Sequence, residues 1–359
     1  MVRRRRLQRL WSNPTETARR GRPRDQTEEA RRDHVALLDA NRAWVVVLAG
    51  GDGERLRPFA ERWLGRHVPK QYCTFVGTRS MLEHTLDRAL EMSPPRRIIT
   101  VMARSHAGLS IREHPALAKG RVVMQPANRD TAPGVFLALT YVCGVDPDAM
   151  VVIFPSDHFI HPEDVFVRQV REALLSAGAL DRVMLLGVEP QGLELDYGWI
   201  QRGRLLDDRG ARCHAVEMFV EKPPKALAEA LQASGAMWNT MVLAGSVRRL
   251  SMLGCRHLPD IMARFQILSN AIGTGQETEV LDRIYDEMPR RNFSADLLQR
   301  TVDDLAVVKL QGVSWSDWGT ADRIAATIHG LGKRPAFAVP RKTGQDARDG
   351  VAKALPGAA

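Results

Sequence analysis

Trp44-Val45-Val46-Val47-Leu48-Ala49-Gly50-Gly51-Asp52-Gly53-Glu54-Arg55-Leu56-Arg57-Pro58 is an apolar run that breaks into a glycine-rich loop and then into arginine. A run apolar on both faces suits a central strand of a parallel sheet covered by helices. The loop that follows has the chemistry of an anion site. Gly50, Gly51 and Gly53 let the backbone approach a ligand closely and point N–H groups at its oxygens. Arg55 adds a planar, permanently charged fork matched to phosphate. The spacing is not the dinucleotide G-x-G-x-x-G pattern, and the Gly-Lys-Ser/Thr of a Walker A loop is missing. Pro69-Lys70-Gln71 comes shortly after, and Lys70 supplies a compact second cation to the same phosphates.

Similar β-branched runs recur outward from this stretch, at Arg97–Met102, Arg121–Met124, Val151–Phe154 and Val183–Val188. Amphipathic stretches over 79–92, 131–143 and 164–180 separate them. Strand alternating with helix predicts right-handed βαβ units and a Rossmann-like, doubly wound, mostly parallel sheet with helices on both faces. The rhythm then changes. Residues 199–220 read as two strands around the turn signal Asp207-Asp208-Arg209-Gly210, a small antiparallel element. Helical segments dominate 223–300, and one more strand follows at Leu305–Leu310. Ligands of such sheets sit beyond the carboxyl ends of the strands, which directs attention to the loops after residues 49, 124, 154 and 188.

The chain of 359 residues is 44% hydrophobic and 26% charged, ordinary for a globular protein. Its net charge of +9 suggests nucleic-acid binding until its distribution is read. Residues 1–42 hold twelve Arg, no Lys and six Asp or Glu, and so supply +6 of that charge. They read as an Arg-rich, disordered extension; 331–359 reads as a flexible tail, leaving 43–330 as the folded domain. Nucleic-acid binding is thereby disfavoured. Cys73, Cys143, Cys213 and Cys255 make no metal-ligand spacing and read as reduced, buried thiols, which makes a cytoplasmic location the default. No apolar run approaches the ~20 residues of a membrane span, and no apolar segment of a signal peptide follows Arg3–Arg6.

Gly-Gly-x-Gly-x-Arg-Leu-x-Pro followed by Pro-Lys resembles the signature of sugar-phosphate nucleotidyltransferases, the NDP-sugar pyrophosphorylases. Pro69-Lys70-Gln71 is similar to their mannose-1-phosphate guanylyltransferase branch. The resemblance continues, in the family's order, at Gln125-Pro-Ala-Asn128-Arg129-Asp130-Thr131-Ala-Pro133, Pro155-Ser-Asp157-His158, Asp196-Tyr-Gly198-Trp-Ile200, Phe219-Val-Glu221-Lys222-Pro223, Trp238-Asn239 and Trp315-Ser-Asp317-Trp318-Gly319. It covers about residues 43–330 and implies the nucleotidyltransferase fold. It also implies an in-line displacement between two polyanions, in which the protein neutralises charge and aligns.

By that resemblance, Gly50, Gly51, Gly53 and Arg55 hold the triphosphate of GTP, Lys70 contacts phosphate, and Lys222 binds the phosphate of mannose 1-phosphate. Asp157 and Asp317 hold Mg2+, which takes oxygen ligands and needs only one or two carboxylates besides phosphates and water. Gln125, Asn128, Arg129 and Thr131 form the base side, with Thr131 a candidate cap for the helix beginning Ala132-Pro133. Gly198, Glu221 and Asn239 line the sugar pocket. His158 and His161 flank Asp157 and read as satisfied or solvent-facing histidines rather than zinc ligands.

Four positions depart from the family pattern. Asp130 replaces Asn, and a carboxylate there pairs with guanine or marks a different base. Asp196 replaces Gly, Met241 follows Asn239-Thr240 where the family commonly has Gly, and Glu54 replaces Thr or Ser. The expectation is therefore GMP transfer to mannose 1-phosphate. Another base or sugar, or a non-catalytic nucleotide-sugar-binding relative, are the alternatives. The last should have lost its charge-neutralising groups, yet Arg55, Lys70, Asp157, Lys222 and Asp317 are all present. Relatives often form homo-oligomers, and too few residues follow position 330 for the second domain that larger relatives append.

Overall fold

A computed structural model describes residues 43–109, 115–207 and 211–337. The Arg-rich extension, positions 110–114, the turn signal's residues 208–210 and positions 338–359 lie outside the described residues.

The first strand, β1 (Trp44–Ala49), is apolar throughout because its side chains alternate into two cores. Val45, Val47 and Ala49 enter one, Trp44 and Val46 the other. The order in the main sheet is β3 (Arg121–Gln125), β2 (Ile98–Ala103), β1, β4 (Met150–Pro155), β9 (Met237–Ser246), β6 (Val183–Val188), β10 (Leu305–Lys309), β8 (Cys213–Glu221) and β7 (Gly198–Asp207). The first four run parallel, as do β6 and β10. β7 and β8 form the expected antiparallel pair. A small two-stranded sheet joins β5 (Phe159–His161) to β11 (Ser314–Ser316).

One core holds α2 (Met81–Met92), α4 (Glu163–Leu180) and α10 (Ala321–Gly330); α3 (Thr131–Val145) fills the other beneath α6 (Val247–His257) and α7 (Pro259–Ala271). Helix α2 begins with a capping box. Ser80 Oγ accepts the Glu83 N–H while the Glu83 carboxylate accepts the Ser80 N–H.

Three expectations are corrected. The helix-dominated stretch 223–300 contains β9, a ten-residue strand inserted antiparallel between β4 and β6. Its short apolar run lacks a β-branched signature, and periodicity alone does not separate such a run from a buried helix. Helix α3 is not amphipathic: residues 132–143 are all buried, because α6 and α7 cover the side that a surface helix leaves to water. Residues 331–337, expected as the start of a tail, pack onto the fold. Phe337 is buried against Phe59, Trp63 and Phe75, and the Ala336 N–H donates to the Phe75 carbonyl. One aromatic in a stretch without period does this, which no pattern reading detects.

The helix layers set a test of packing. A Cβ at Gly254 in α6 would stand 2.6 Å from the Phe136 ring and 2.9 Å from Met262 Sδ. Gly144, exposed in α3, has open space around its Cα. Alanine therefore has opposite effects at the two. Gly254→Ala destabilises by about 1–3 kcal/mol through overpacking, and Gly144→Ala stabilises by about 0.5–1 kcal/mol through backbone entropy. Urea titrations of both variants check the signs; equal effects would refute the close helix contact.

Candidate active site

The chain leaves β1 for β2 on one side of the sheet and later returns to β4 on the other. The loops after β1 and β4 thus face each other across a topological switch point, where open α/β sheets bind ligands. Ser156 fastens them: its N–H and Oγ donate to the Leu48 carbonyl at 3.1 and 2.7 Å. Two glycines of the loop after β1 sit where a side chain would crowd a neighbour. A Cβ on Gly50 would fall 2.4 Å from Gln125 Nε2, and Gly53 has φ +67 with the Lys70 backbone beneath it. Gln71 Nε2 pins the loop by donating to the Ala49 and Gly51 carbonyls. The resulting cleft of about 420 Å³ is lined by Gly50, Gly51, Gly53, Gln125, Asn128, Thr131 and Asp157, all expected from the sequence. So does Asp130 line it, the departure from the family pattern on the base side. Gln71, His158, Met241 and Arg290 line it too and were missed as ligand-facing residues.

Lys70 lies at one side of this cleft, buried to 6% exposure. Its ammonium is 2.8 Å from Asp157 Oδ2 and donates to the Asp317 carbonyl, so one cation ties together the two aspartates expected as a pair. Asp317 Oδ1 accepts from Tyr197, from Arg323 at 2.8 Å and from the Gly319 N–H at 3.0 Å. Among the described residues Asp317 Oδ2 meets Arg55 alone, at 2.8 Å. Burial on its own would raise the Asp317 carboxyl; the Tyr197 hydroxyl, Lys70 and Arg55 outweigh it and bring the pKa down to about 2. Asp157 is likewise held below the usual range, with Lys70 outweighing burial. Burial takes the His158 imidazole down to about 4, so it is neutral near pH 7.

On the other side Gly198, Glu221 and Asn239 meet. A Cβ at Gly198 would lie 2.8 Å from Glu221 Oε2 and 3.2 Å from Asn239 Cβ, so the missing side chain is what lets them converge. Burial raises the Glu221 carboxyl above its ordinary range. The exposed Lys222 is joined to this group through its backbone N–H, which donates to the Tyr197 carbonyl. Asn239 Oδ1 accepts the Met241 N–H, and Met241 has φ +56. The residue standing where the resembling family commonly has glycine thus occupies the backbone region that glycine prefers.

The base side differs from expectation in two places. Arg129 does not line the cleft. Its guanidinium donates to the carbonyls of Tyr285 and Asp286, at the end of α8 (Glu277–Asp286). Thr131 is not the helix cap: Asp130 Oδ1 accepts the Thr131 N–H, while Thr131 Oγ1 accepts the Phe293 N–H. Backbone bonds from Arg291 to Arg129 and from Ala132 to Arg291 complete the junction. Arg129 therefore secures the segment that carries Arg290 into the cleft. No local sequence signal marks Arg290, because its place depends on contacts across roughly 160 residues of chain. Among the other departures, Glu54 faces Arg57 at 3.5 Å, and Asp196 lies 3.9 Å from Arg55 in an exposed pair of little energetic weight.

Two of the non-glycine residues with positive φ, Asp130 and Met241, line the cleft. Each costs of order 1–3 kcal/mol and persists where the surroundings over-determine it, a feature that clusters at functional sites. Asp317 is held by a polar network of its own, from Tyr197, Arg323 and the Gly319 N–H. Arg323→Ala, which leaves a buried carboxylate short of one charged donor, lowers stability by about 1–3 kcal/mol. Denaturant unfolding tests this, and an unchanged midpoint would remove the network from the account.

Residues 44–332 match the family model described as nucleotidyl transferase. A mannose-1-phosphate guanylyltransferase of Klebsiella pneumoniae is 31% identical over 280 residues, 77% of this chain and 58% of that protein. One from Escherichia coli strain K12 is 31% identical over 288 residues, 78% of this chain and 58% of its own. The chain thus spans less than two thirds of the length of these curated relatives. A crystal structure described as mannose-1-phosphate geranyltransferase from Thermus thermophilus superposes with a TM-score of 0.67 at 26% identity, covering 79% of this chain and 78% of that one. A UDP-glucose pyrophosphorylase complexed with UDP-glucose shares the fold at a TM-score of 0.52 and 13% identity, over 80% and 98% of the two chains. With nearly every described residue inside the family match, this chain belongs to the nucleotidyl transferase family.

Proposed function

We propose that the chain transfers a nucleoside monophosphate from an NTP to a hexose 1-phosphate, with GTP and mannose 1-phosphate as the pair. The observation that carries this reading is the joining of Asp157, Lys70, Asp317 and Arg55 beside the glycine loop. A phosphate oxygen of the sugar 1-phosphate forms a bond to the α-phosphorus, and the bond from that phosphorus to the pyrophosphate oxygen breaks. The attacking oxygen is already ionised, so no general base is needed. The obstacle is repulsion between two anions, and fixed cations reduce it.

Each charged group has a part in that task. Arg55, with half-exposed side chain, turns from Asp317 to the triphosphate. Lys70 stays buried and faces the α-phosphate, while Lys222 meets the sugar phosphate. Gln125 and Arg290 read the base, an arginine fork being matched to the O6 and N7 acceptors of guanine. Glu221 and Asn239 bond the sugar hydroxyls. The donor set suits an oxygen-preferring divalent cation: two carboxylates are present, and one oxygen of Asp317 has only the displaceable Arg55. Asp157 and Asp317 would hold Mg2+, which neutralises phosphate charge when bound.

The 31% identity to mannose-1-phosphate guanylyltransferases favours GTP and mannose 1-phosphate within this class. A pyrophosphate-release screen across NTPs and hexose 1-phosphates tests the choice. Activity with that pair alone is expected; activity with another keeps the class and discards the pair, and none at all refutes both. Chelation by EDTA should abolish turnover and excess Mg2+ should restore it. Arg55→Ala should lower kcat by roughly two to three orders of magnitude, as for loss of one transition-state charge partner. Near-parental kcat in a folded Arg55→Ala protein would contradict its role.

A further inference from the structure

Behind the cleft lies a second cavity of about 530 Å³, enclosed by the segment 75–79, the start of α2, β5, the start of α4 and the chain after α10. Its lining shares one residue with the cleft, His158. The volume falls in the range of small-molecule sites, about 300–1,000 Å³.

The wall is rich in donors and cations. Arg79, Arg88, Lys333 and Arg334 line it, against the carboxylate of Glu163. Arg79 is taken up by Asp87, 2.6 Å away, and Arg88 lies 3.5 Å from Glu163. Lys333 and Arg334 are exposed and have no acidic partner among the described residues. Phe75, Phe159 and Ile160 add apolar surface. A wall with two exposed cations that no acidic group offsets, set beside aromatic rings, complements an anion that carries an apolar or ring-shaped body.

We propose that this cavity binds a small phosphorylated molecule and that its occupancy acts on the neighbouring cleft. The route is short. His158 adjoins Asp157 and Trp318 adjoins Asp317, so both aspartates have their chain neighbour in the cavity wall. Trp318 sits at φ +46 and stacks on Phe159, with centroids 4.8 Å apart and planes 12° from parallel. A ligand that moves this stack moves the backbone holding Asp317. The binding stands on the cavity alone; the effect on turnover rests on the function proposed above.

Calorimetric titration with three probes, GMP, a GDP-hexose and a hexose 6-phosphate, tests it. At least one probe should bind the parent chain at a site that Lys333→Glu/Arg334→Glu weakens at least tenfold and Arg55→Ala leaves intact. Both substituted positions lie outside the cleft, so turnover without the probe stays at the parental rate. The probe should change parental turnover at least twofold and leave that of the double variant unchanged. Binding of all three probes unaltered by the double charge reversal, or no binding beyond that lost in Arg55→Ala, overturns the site. Binding that follows the charge reversal with no effect on turnover removes the coupling and keeps the site. Absence of turnover in the parent, with that binding intact, defeats the proposed function instead.

Discussion

A lysine ammonium taken out of water needs counter-charge and acceptors within bonding distance, and Lys70 finds them in two loops far apart in the chain. Asp157, after β4, offers its carboxylate and Asp317, after β11, its main-chain carbonyl, so the demand of one buried cation joins two segments across the fold. Removing the Asp157 carboxylate would leave the ammonium without its paired charge, which ties the stability of the site to its chemistry. Arg55 and Arg323 then share Asp317 from opposite oxygens, one half exposed, the other anchored to Tyr197 and Glu194. The outcome is a carboxylate with one fixed oxygen and one exchangeable oxygen.

Glycines make the rest of the site possible by absence of a side chain. Gly50 yields to Gln125, Gly53 to the backbone of Lys70, and Gly198 to Glu221 and Asn239. In each case two elements distant in sequence come closer than a methyl group permits. Positive φ at Asp130 and Met241 adds strain in the cleft wall, balanced by the hydrogen bonds that Asp130 and Asn239 make there.

The strands that flank the cleft were legible because apolar runs of five or six residues on both faces admit few other readings, and the loops were legible because their residue types are chemically unusual. β9 was not, since an antiparallel insertion leaves no mark in local periodicity. Arg129 read as a ligand-facing group from its place beside Asn128. Its actual partners, two carbonyls at the end of α8, are a tertiary fact. Arg290 and Met241 escaped notice for the same reason: residue type and neighbours say nothing about which surface a loop meets. Cys73 and Cys143 conformed to type, buried and with thiols pushed up to about 12 and about 11 by burial.

The late arrival of β9 shapes how this chain is made. Until residue 246 has left the ribosome, β4 and β6 have no partner between them, and each presents an open row of amide and carbonyl groups. Such edges invite pairing with other nascent chains. The sheet closes in two insertions, Met237–Ser246 between β4 and β6 and then Leu305–Lys309 between β6 and β8, and the edges beside each gap stay exposed to aggregation until its strand arrives.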